Sequence, residues 1–279
     1  MIGATVAILL ALAPAMAGLA PPGGNGTQTT DRAVVWAAGD VAGPGARADR
    51  VSALVRNAEP DRFLYLGDVY ETGTAAEFRR WYHPRLGSLA RITDPTIGNH
   101  EWGSRLSGYY PYWAARKGRN QPPWSRTRIA GWEILNLNSQ APHGPGSPQV
   151  RWLERALNGP GDCRIAFWHR PRYSAGAHGN AADLDPFWNR LAGRARIVLS
   201  GHDHNLQRHR ARRGIRQYVV GAGGRARYSL RARNPTIAWG ADDVDGALRI
   251  VLKPGRALLE FRTTSRRLLD RSRATCSAQ

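Results

Sequence analysis

The chain is poor in cysteine and in lysine. Its 279 residues include two cysteines, Cys163 and Cys276, which excludes the thiolate-rich ligand set of a structural zinc site. The two cysteines could form one disulfide that pins the C-terminal tail, or remain two free thiols, and the sequence leaves both open. Lys117 and Lys253 are the only lysines, so nearly all of the formal net charge of +19 comes from arginine. That charge favours anionic partners, but a compositional bias of the genome explains the scattered arginines equally well.

Charge is also missing from the first twenty residues, where the short apolar core "VAILLALA" precedes small residues at Ala15 and Ala17. This pattern predicts a signal peptide over 1–20. An uncleaved membrane anchor is the alternative, because no Lys or Arg precedes the core. The core is short for a spanning helix and Pro14 lies inside the segment. We therefore expect an exported protein, secreted or associated with the cell envelope, with no stable membrane span after cleavage.

The rest of the chain shows no repeat of solenoid length and no later low-complexity segment. "PPGGNGTQTT" (21–30) predicts a flexible leader. The following length suits one large domain better than two small ones. We predict that this domain covers 31–265 and that a basic C-terminal tail covers 266–279.

Several short apolar runs lead directly into a side chain that can bind a metal. They are "AVVWAAG" before Asp40, "RFLYLG" before Asp68, "PTIG" before Asn99, "RIAFW" before His169 and "RIVLSG" before His202. Such runs predict strands buried on both faces, and helical patterns lie between them at 46–58, 74–82 and 147–158. The alternation indicates a largely parallel α/β arrangement, in which ligands bind at the carboxyl ends of the strands.

Four more strand-forming stretches complete the predicted sheets. "WEILNLNS" (132–139) predicts a further central strand, and "IRQYVVGAGG" (215–224) a strand with a glycine-rich exit. "ALRIVLK" and "RALLEFRTT", joined by Pro254-Gly255, predict a hairpin. We expect the strands after residue 210 to form a second sheet that closes over the first.

The side chains at the strand ends form a mixed oxygen and nitrogen donor set that suits zinc, iron or manganese. The set consists of Asp40, Asp68, Asn99, His169, His202 and His204. Six donors are too many for one catalytic ion with an open position, so we expect two ions that share one carboxylate. Two ions ~3.5–4 Å apart can clamp a phosphate ester and activate a water as the nucleophile.

The motifs also resemble those of a known family. "GD" (39–40), "LGDVY" (66–70), "GNHE" (98–101), "WHRP" (168–171) and "GHDH" (201–204) occur in the order found in the calcineurin-like metallophosphoesterases. Within that superfamily the chain is most similar, over roughly 33–224, to the purple acid phosphatases and their compact bacterial relatives. The resemblance implies an α/β fold, a four-layer αββα sandwich of two mixed β-sheets flanked by helices. It also implies a hydrolase that cleaves phosphate monoesters with a metal-activated hydroxide at a binuclear centre of two divalent or trivalent transition-metal ions (Fe, Zn or Mn).

The resemblance assigns a role to each matching position. Asp68 matches the bridging carboxylate, Asp40 and His204 match ligands of one ion, and Asn99, His169 and His202 match ligands of the other. His100 matches the catalytic histidine that steadies the transition state or protonates the leaving group. We expect Glu101 to be the hydrogen-bond partner of His100.

Two departures from the family pattern concern the ion at Asp40. "GDVAG" lacks the histidine that many calcineurin-like enzymes carry in the first motif. Tyr70 follows Asp68 by two residues, whereas the purple acid pattern places a metal-binding tyrosine three residues after the bridging aspartate. Tyr70 is therefore either a metal ligand or a packed aromatic residue.

The remaining histidines divide into one candidate and three others. His178 lies nine residues after His169, like a substrate-binding histidine of the purple acid phosphatases, although a solvated loop histidine is the alternative. Arg170 and Arg172 flank the same site and could contact phosphate. His83, His143 and His209 match nothing in the family pattern, and we expect them to be structural or exposed.

The expected partner is a small phosphorylated substrate, with no specific nucleic-acid partner, and the sequence assigns no oligomeric state. A phosphodiesterase that uses the same metal site is the alternative activity. A catalytically dead, basic binding protein on the same scaffold is a further alternative from a different functional class.

Overall fold

The computed structural model describes residues 31–231 and 234–277. The predicted signal peptide (1–20) and leader (21–30) lie outside the described residues. The strands are β1 (Ala33–Ala38), β2 (Arg62–Tyr65), β3 (Thr93–Pro95), β4 (Ser125–Ile129), β5 (Trp132–Asn136), β6 (Arg164–Phe167), β7 (Ile197–Ser200), β8 (Leu206–His209), β9 (Arg216–Val220), β10 (Ile237–Ala241), β11 (Gly246–Lys253), β12 (Arg256–Thr263) and β13 (Leu268–Thr275). The α-helices are α1 (Ala46–Arg56), α2 (Ala75–Glu77), α3 (His83–Leu86), α4 (Asn99–Trp102), α5 (Tyr109–Lys117), α6 (Pro148–Ala156) and α7 (Asp185–Leu191).

The strands form two mixed sheets. The six-stranded sheet has the order β13-β12-β11-β1-β2-β3, and the seven-stranded sheet has the order β10-β8-β9-β7-β6-β5-β4. In the first sheet β1, β2 and β3 are parallel and β11 runs antiparallel to β1. In the second sheet β5, β6, β7 and β9 are parallel, whereas β4, β8 and β10 are antiparallel to their neighbours.

Three apolar clusters hold these layers together. The first lies between the two sheets, where Val35 and Leu64 of one sheet join Ile165 and Leu199 of the other. A second cluster packs α1, α3 and α5 against the six-stranded sheet, and a third packs α6 and α7 against the seven-stranded sheet. The four-layer αββα sandwich implied by the resemblance is therefore confirmed.

The central strands are buried on both faces, as their continuous apolar runs predict. In β1, Val35 and Ala37 belong to the cluster between the sheets, whereas Trp36 and Ala38 belong to the cluster under the helices. β2 alternates in the same way, with Leu64 on one face and its neighbours Phe63 and Tyr65 on the other. Because both faces are covered, only the strand ends of this layer are available for a site.

The predicted helices occur close to their expected positions, with one irregularity. α1 and α6 lie within 46–58 and 147–158, and the Ser147 hydroxyl caps α6 by accepting from the Val150 N–H. The 74–82 pattern opens with a capping box between Thr74 and Glu77. It then continues as a π-helical turn (Phe78–Tyr82) rather than as one regular helix.

The structure corrects the predicted assignment of strands to sheets. The hairpin β11–β12 pairs with β1 in the first sheet, and β9 joins the second sheet beside β7, so the prediction that all strands after residue 210 form the second sheet is wrong. Alternating hydrophobicity specifies which face of a strand is buried, but does not specify which strand pairs with it. β5 lies next to the edge strand β4, not at the centre of its sheet.

The C-terminal boundary also changes. Within the predicted tail 266–279, residues Leu268–Thr275 form the edge strand β13, which pairs with β12 over its length. A disulfide links Cys163, just before β6 in one sheet, to Cys276, just after β13 in the other. The segment is thus part of the sandwich and is covalently fixed to the opposite sheet.

Among the described helices, none is long and apolar enough to cross a bilayer.

Candidate metal centre

The site lies where the carboxyl ends of strands from both sheets meet. The Gly39 N–H, after β1, donates to the Val220 carbonyl of β9 at 2.9 Å, and this bond connects the two sheets. A Cβ atom on Gly39 would lie 3.2 Å from the Gly201 Cα, so the two loops approach too closely for a side chain to fit comfortably. The five apolar runs therefore converge on one site, although they come from two sheets rather than from one.

Three of the converging residues have an unusual backbone conformation. Asp40, Asp68 and His202 have φ angles of 61°, 70° and 71°, in the left-handed region that non-glycine residues rarely occupy. Such strain persists only where the surroundings enforce it, and it concentrates at functional sites. Here it directs three polar side chains into the space between the loops.

Asp68 occupies the middle of the cluster and is fully buried. Its Oδ2 atom lies 3.2 Å from the Tyr70 hydroxyl on one side and 3.3 Å from His169 Nε2 on the other. Its Oδ1 atom accepts a hydrogen bond from the His100 N–H at 3.1 Å. One carboxylate thus lies between two groups of donor atoms, as the bridging position requires.

The first group contains Asp40, Tyr70 and His204. The Tyr70 hydroxyl lies 2.8 Å from Asp40 Oδ1 and 2.9 Å from His204 Nε2, and His204 Nε2 lies 3.4 Å from the same Asp40 oxygen. Tyr70 is buried, but its hydroxyl points into the cluster rather than into the apolar core. This geometry favours the ligand alternative over a packed aromatic residue.

The second group contains Asn99, His169 and His202. His169 Nε2 lies 2.9 Å from Asn99 Oδ1 and 3.2 Å from His202 Nδ1. One donor atom from each of Asp68, His169 and His202 lies within 4.8 Å of the other two, a spacing that suits a single metal ion. The structure therefore brings together all seven predicted ligands, in the two groups that the resemblance assigns.

The second nitrogen of two histidines is fixed by the backbone. His169 Nδ1 lies 2.7 Å from the Leu66 carbonyl, and His204 Nδ1 lies 2.6 Å from the Ala226 carbonyl. A ring nitrogen beside a carbonyl donates its proton to it, so Nε2 is the nitrogen of each ring that faces the cluster. This arrangement is typical of metal-binding histidines, and it shows that the residues present fit a two-metal centre.

The protein groups strongly perturb one another's protonation. Burial lowers the pKa of His169, but the charge of Asp68 and a hydrogen bond to it outweigh that effect and raise the pKa to about 9. Burial acts to raise the pKa of Asp68, yet His169 holds that pKa well below its usual range. The central carboxylate is thus ionised and closely matched to a positive partner.

His100 lies at the open side of the cluster, with 30% of its side chain exposed. Its Nδ1 lies 2.5 Å from the Glu71 carbonyl, and its Nε2 lies 3.8 Å from Asp68 Oδ2. Because the backbone carbonyl fixes Nδ1, Nε2 is the atom available to a bound substrate.

The expected partnership between Glu101 and the His100 side chain is wrong. The buried Glu101 carboxylate instead accepts hydrogen bonds from the backbone N–H groups of Asp68 and Val69, both at 3.1 Å. Burial and the nearby charge of Asp68 raise the pKa of Glu101 to about 8. Glu101 therefore supports the turn that carries the bridging carboxylate.

His178 lies against the second group. Its ring stacks on the His202 ring with centroids 4.0 Å apart, and its backbone N–H donates to Asp203 Oδ1 at 3.0 Å. His178 and His202 line a cavity of about 240 Å³ together with Arg170 and Asp183. His178 thus borders both the cluster of predicted ligands and an open cavity.

Other predicted residues have partners outside the cluster. Arg170 and Arg172 form ion pairs with Asp183 and Asp185, respectively, so neither guanidinium is free for phosphate alone. The histidines without an assigned role also bond elsewhere: His83 to Tyr112, His143 to the Ala141 carbonyl and Asp183, and His209 to Thr236.

Three residues near the site carried no clear signal in the sequence. The Tyr228 ring stacks on His204 at 4.1 Å, and Arg225 lies over the Tyr70 ring. The buried Asp203 bonds the Ser174 hydroxyl and the His178 N–H. Only Asp203 lies inside a recognised motif, "GHDH", and could have been considered from the sequence.

Comparison with known proteins places this geometry in a family. The sequence model of calcineurin-like phosphoesterases matches residues 33–206. The chain belongs to this family. A "probable cyclic nucleotide phosphodiesterase" of Synechococcus sp. is 29% identical over 174 residues, which cover 57% of this chain and 63% of the relative. The family implies a centre of two metal ions, in agreement with the two donor groups around Asp68.

Two solved structures share the fold at low identity. A purple acid phosphatase from yellow lupin (Lupinus luteus) seeds is 18% identical with a TM-score of 0.72, and the match covers 88% of this chain and 54% of the lupin chain. GAP50, the anchor in the inner membrane complex of Plasmodium, is 12% identical with a TM-score of 0.70, and the match covers 89% of each chain. The chain spans less than two thirds of the length of the cyanobacterial and lupin proteins.

Proposed function

We propose that the protein hydrolyses phosphate monoesters at a binuclear metal centre. The observation that supports this most strongly is the position of Asp68 between two donor groups. Asp40, Tyr70 and His204 would hold one ion, and Asn99, His169 and His202 would hold the other. Oxygen and imidazole donors without thiolate suit zinc, iron or manganese. Bound there, such ions would neutralise phosphate oxygens and lower the pKa of an attacking water.

His100 would supply the acid chemistry. The Glu71 carbonyl fixes Nδ1, which leaves Nε2 to donate a proton to the leaving-group oxygen as the ester bond breaks. Asp68 Oδ2 lies 3.8 Å from Nε2, so this nitrogen faces the cluster where the ester would bind. His178 would orient the ester from the other side of the cluster, beside the cavity that it lines with His202.

Phosphodiester hydrolysis is the second candidate, because the cyanobacterial relative is described as a probable cyclic nucleotide phosphodiesterase. The same metal ligands serve both reactions. The preference for monoesters is supported by the Tyr70 hydroxyl, which lies beside Asp40 and His204 although Tyr70 stands one residue earlier than the metal-binding tyrosine of the purple acid phosphatases.

Elemental analysis and turnover on one sample test the proposal. We expect close to two transition ions per chain and a higher kcat/KM for p-nitrophenyl phosphate than for bis(p-nitrophenyl) phosphate or cyclic AMP. His83→Ala is the control for loss of a histidine outside the site, because His83 bonds to Tyr112. Preferential turnover of the diesters would favour the second candidate. A protein that binds no transition metal and hydrolyses neither class would contradict both.

A basic binding protein without activity is the remaining alternative. Tight, salt-sensitive binding to duplex DNA without turnover of any ester would support it.

We further propose that the protein is exported and acts on small phosphorylated molecules without a specific nucleic-acid partner. The disulfide between Cys163 and Cys276 supports export, because such bonds persist in oxidising compartments.

A further inference from the structure

The segment after β9, residues 221–231, contacts the candidate metal centre at several points although it supplies none of the predicted ligands. We propose that Arg225 in this segment is a positioning residue that fixes Tyr70 against the first donor group. The inference rests on the proposed metal centre and adds a residue whose role lies outside the motifs that define it.

Arg225 makes two contacts that act on the same short stretch of chain. Its guanidinium carbon lies 4.2 Å from the centroid of the Tyr70 ring, within the range of a cation–π interaction. Its Nη2 atom forms an ion pair with Glu71 Oε1 at 2.5 Å. The same Glu71 offers its carbonyl to His100 Nδ1. Arg225 thus holds the predicted ligand Tyr70 directly, and it holds His100 indirectly through Glu71.

The Tyr70 ring is also confined from the side of Gly43. A Cβ atom on Gly43 would lie 2.8 Å from Arg225 Cδ and 3.2 Å from Tyr70 Cδ2, so the three residues are in close contact. The His100 ring packs edge-on against Tyr70, with centroids 4.3 Å apart. Removal of Arg225 would therefore leave one face of Tyr70 unsupported.

The rest of the segment holds His204, which belongs to the same donor group as Tyr70. The Ala226 carbonyl accepts from His204 Nδ1, and the Tyr228 ring stacks on His204 with an interplanar angle of 12°. The first sequence motif supplies no histidine, so besides the bridging Asp68 the ion at Asp40 depends on Tyr70 and His204 for its other protein ligands. The segment 221–231 thus holds in place two ligands, Tyr70 and His204, that this ion needs in the absence of a histidine from the first motif.

A positioning role and a purely electrostatic role predict opposite signs for metal affinity. A guanidinium repels a nearby cation. If Arg225 acted only through its charge, its removal would therefore strengthen metal binding. Glu71 offsets that charge through the ion pair. Loss of a group that orients a ligand instead weakens binding, typically about 10–100-fold.

Calorimetric titration of the metal-free protein with Zn²⁺ measures this sign. We expect Arg225→Gln to weaken Zn²⁺ binding about tenfold at the site that contains Tyr70. Arg225→Lys, which keeps a cation over the ring, should recover part of the loss. Arg227→Gln is the matched control, since Arg227 lies in the same segment but pairs with Asp245, and it should bind as the parent does. Unchanged or tighter binding by Arg225→Gln would overturn the proposal.

A double-mutant cycle tests whether Arg225 acts through Tyr70. In a Tyr70→Phe background, Arg225→Gln should cause little further loss of Zn²⁺ affinity, whereas additive losses would refute the coupling. Protein loaded with Fe³⁺ should show a tyrosinate charge-transfer band that shifts to longer wavelength in Arg225→Gln and is absent in Tyr70→Phe. A parent protein that binds no metal would defeat the proposed function itself. A parent that binds metal while Arg225→Gln matches Arg227→Gln would defeat this inference alone.

Discussion

Removal of the disulfide should destabilise the protein by several kcal/mol without damage to the site. Cys163 and Cys276 are separated by 113 residues, and a cross-link over such a loop lowers the entropy of the unfolded chain by an amount worth about 5 kcal/mol at 25 °C. For a domain of this size each kcal/mol corresponds to roughly 2–4 °C in Tm. We therefore expect Cys276→Ser to lower Tm by about 10–20 °C.

Cys276 is the better position to change, because Cys163 is buried and its replacement would add a packing cost. The edge strand β13 keeps its bonds to the opposite sheet, from Asp270 to Arg208 and from Ser272 to Tyr218, so kcat/KM at 25 °C should remain close to that of the parent. Thermal unfolding of the parent with and without reductant, beside Cys276→Ser, supplies the measurement. A parent Tm that reductant leaves unchanged, together with a variant Tm within ~2 °C of it, would refute the loop-entropy reasoning.

Three further changes address the site. Glu101→Gln should destabilise the protein by about 1–3 kcal/mol, because an amide cannot accept from both the Asp68 and Val69 N–H groups; denaturant titration measures this, and an unchanged midpoint would contradict it. His100→Ala should lower kcat by roughly 10²–10⁴ for alkyl phosphates and much less for p-nitrophenyl phosphate, whose leaving group needs no proton; equal losses on both would argue against an acid. Asn99→Ala should abolish turnover with at most partial loss of metal by elemental analysis, and full turnover in that variant would remove Asn99 from the site.

Much of the site was predictable because its residues follow strong local signals. Buried parallel strands appear as continuous apolar runs, and their carboxyl ends can be located to within a few residues. Asp40, Asp68 and His202 each follow such a run directly. The helix starts were equally local, as the Ser147 cap before α6 illustrates.

The parts that the sequence did not predict depend on contacts between distant segments. Nothing in the β11–β12 hairpin specifies that it pairs with β1, because its alternating pattern would suit either sheet equally well. Glu101 was assigned to the neighbouring His100, whereas its carboxylate reaches the backbone of a turn more than thirty residues earlier. Arg225 is one of many arginines, so only its place above Tyr70 distinguishes it from the others.

The positive φ angles of Asp40, Asp68 and His202 have a consequence for how this protein responds to selection. Glycine adopts this backbone region freely, whereas each of these side chains adds strain of order 1–3 kcal/mol. A library screened for thermal resistance alone should therefore enrich glycine or asparagine at these positions and lose the metal ligands in the process. At these three positions, a glycine that relieves backbone strain also removes a predicted metal ligand.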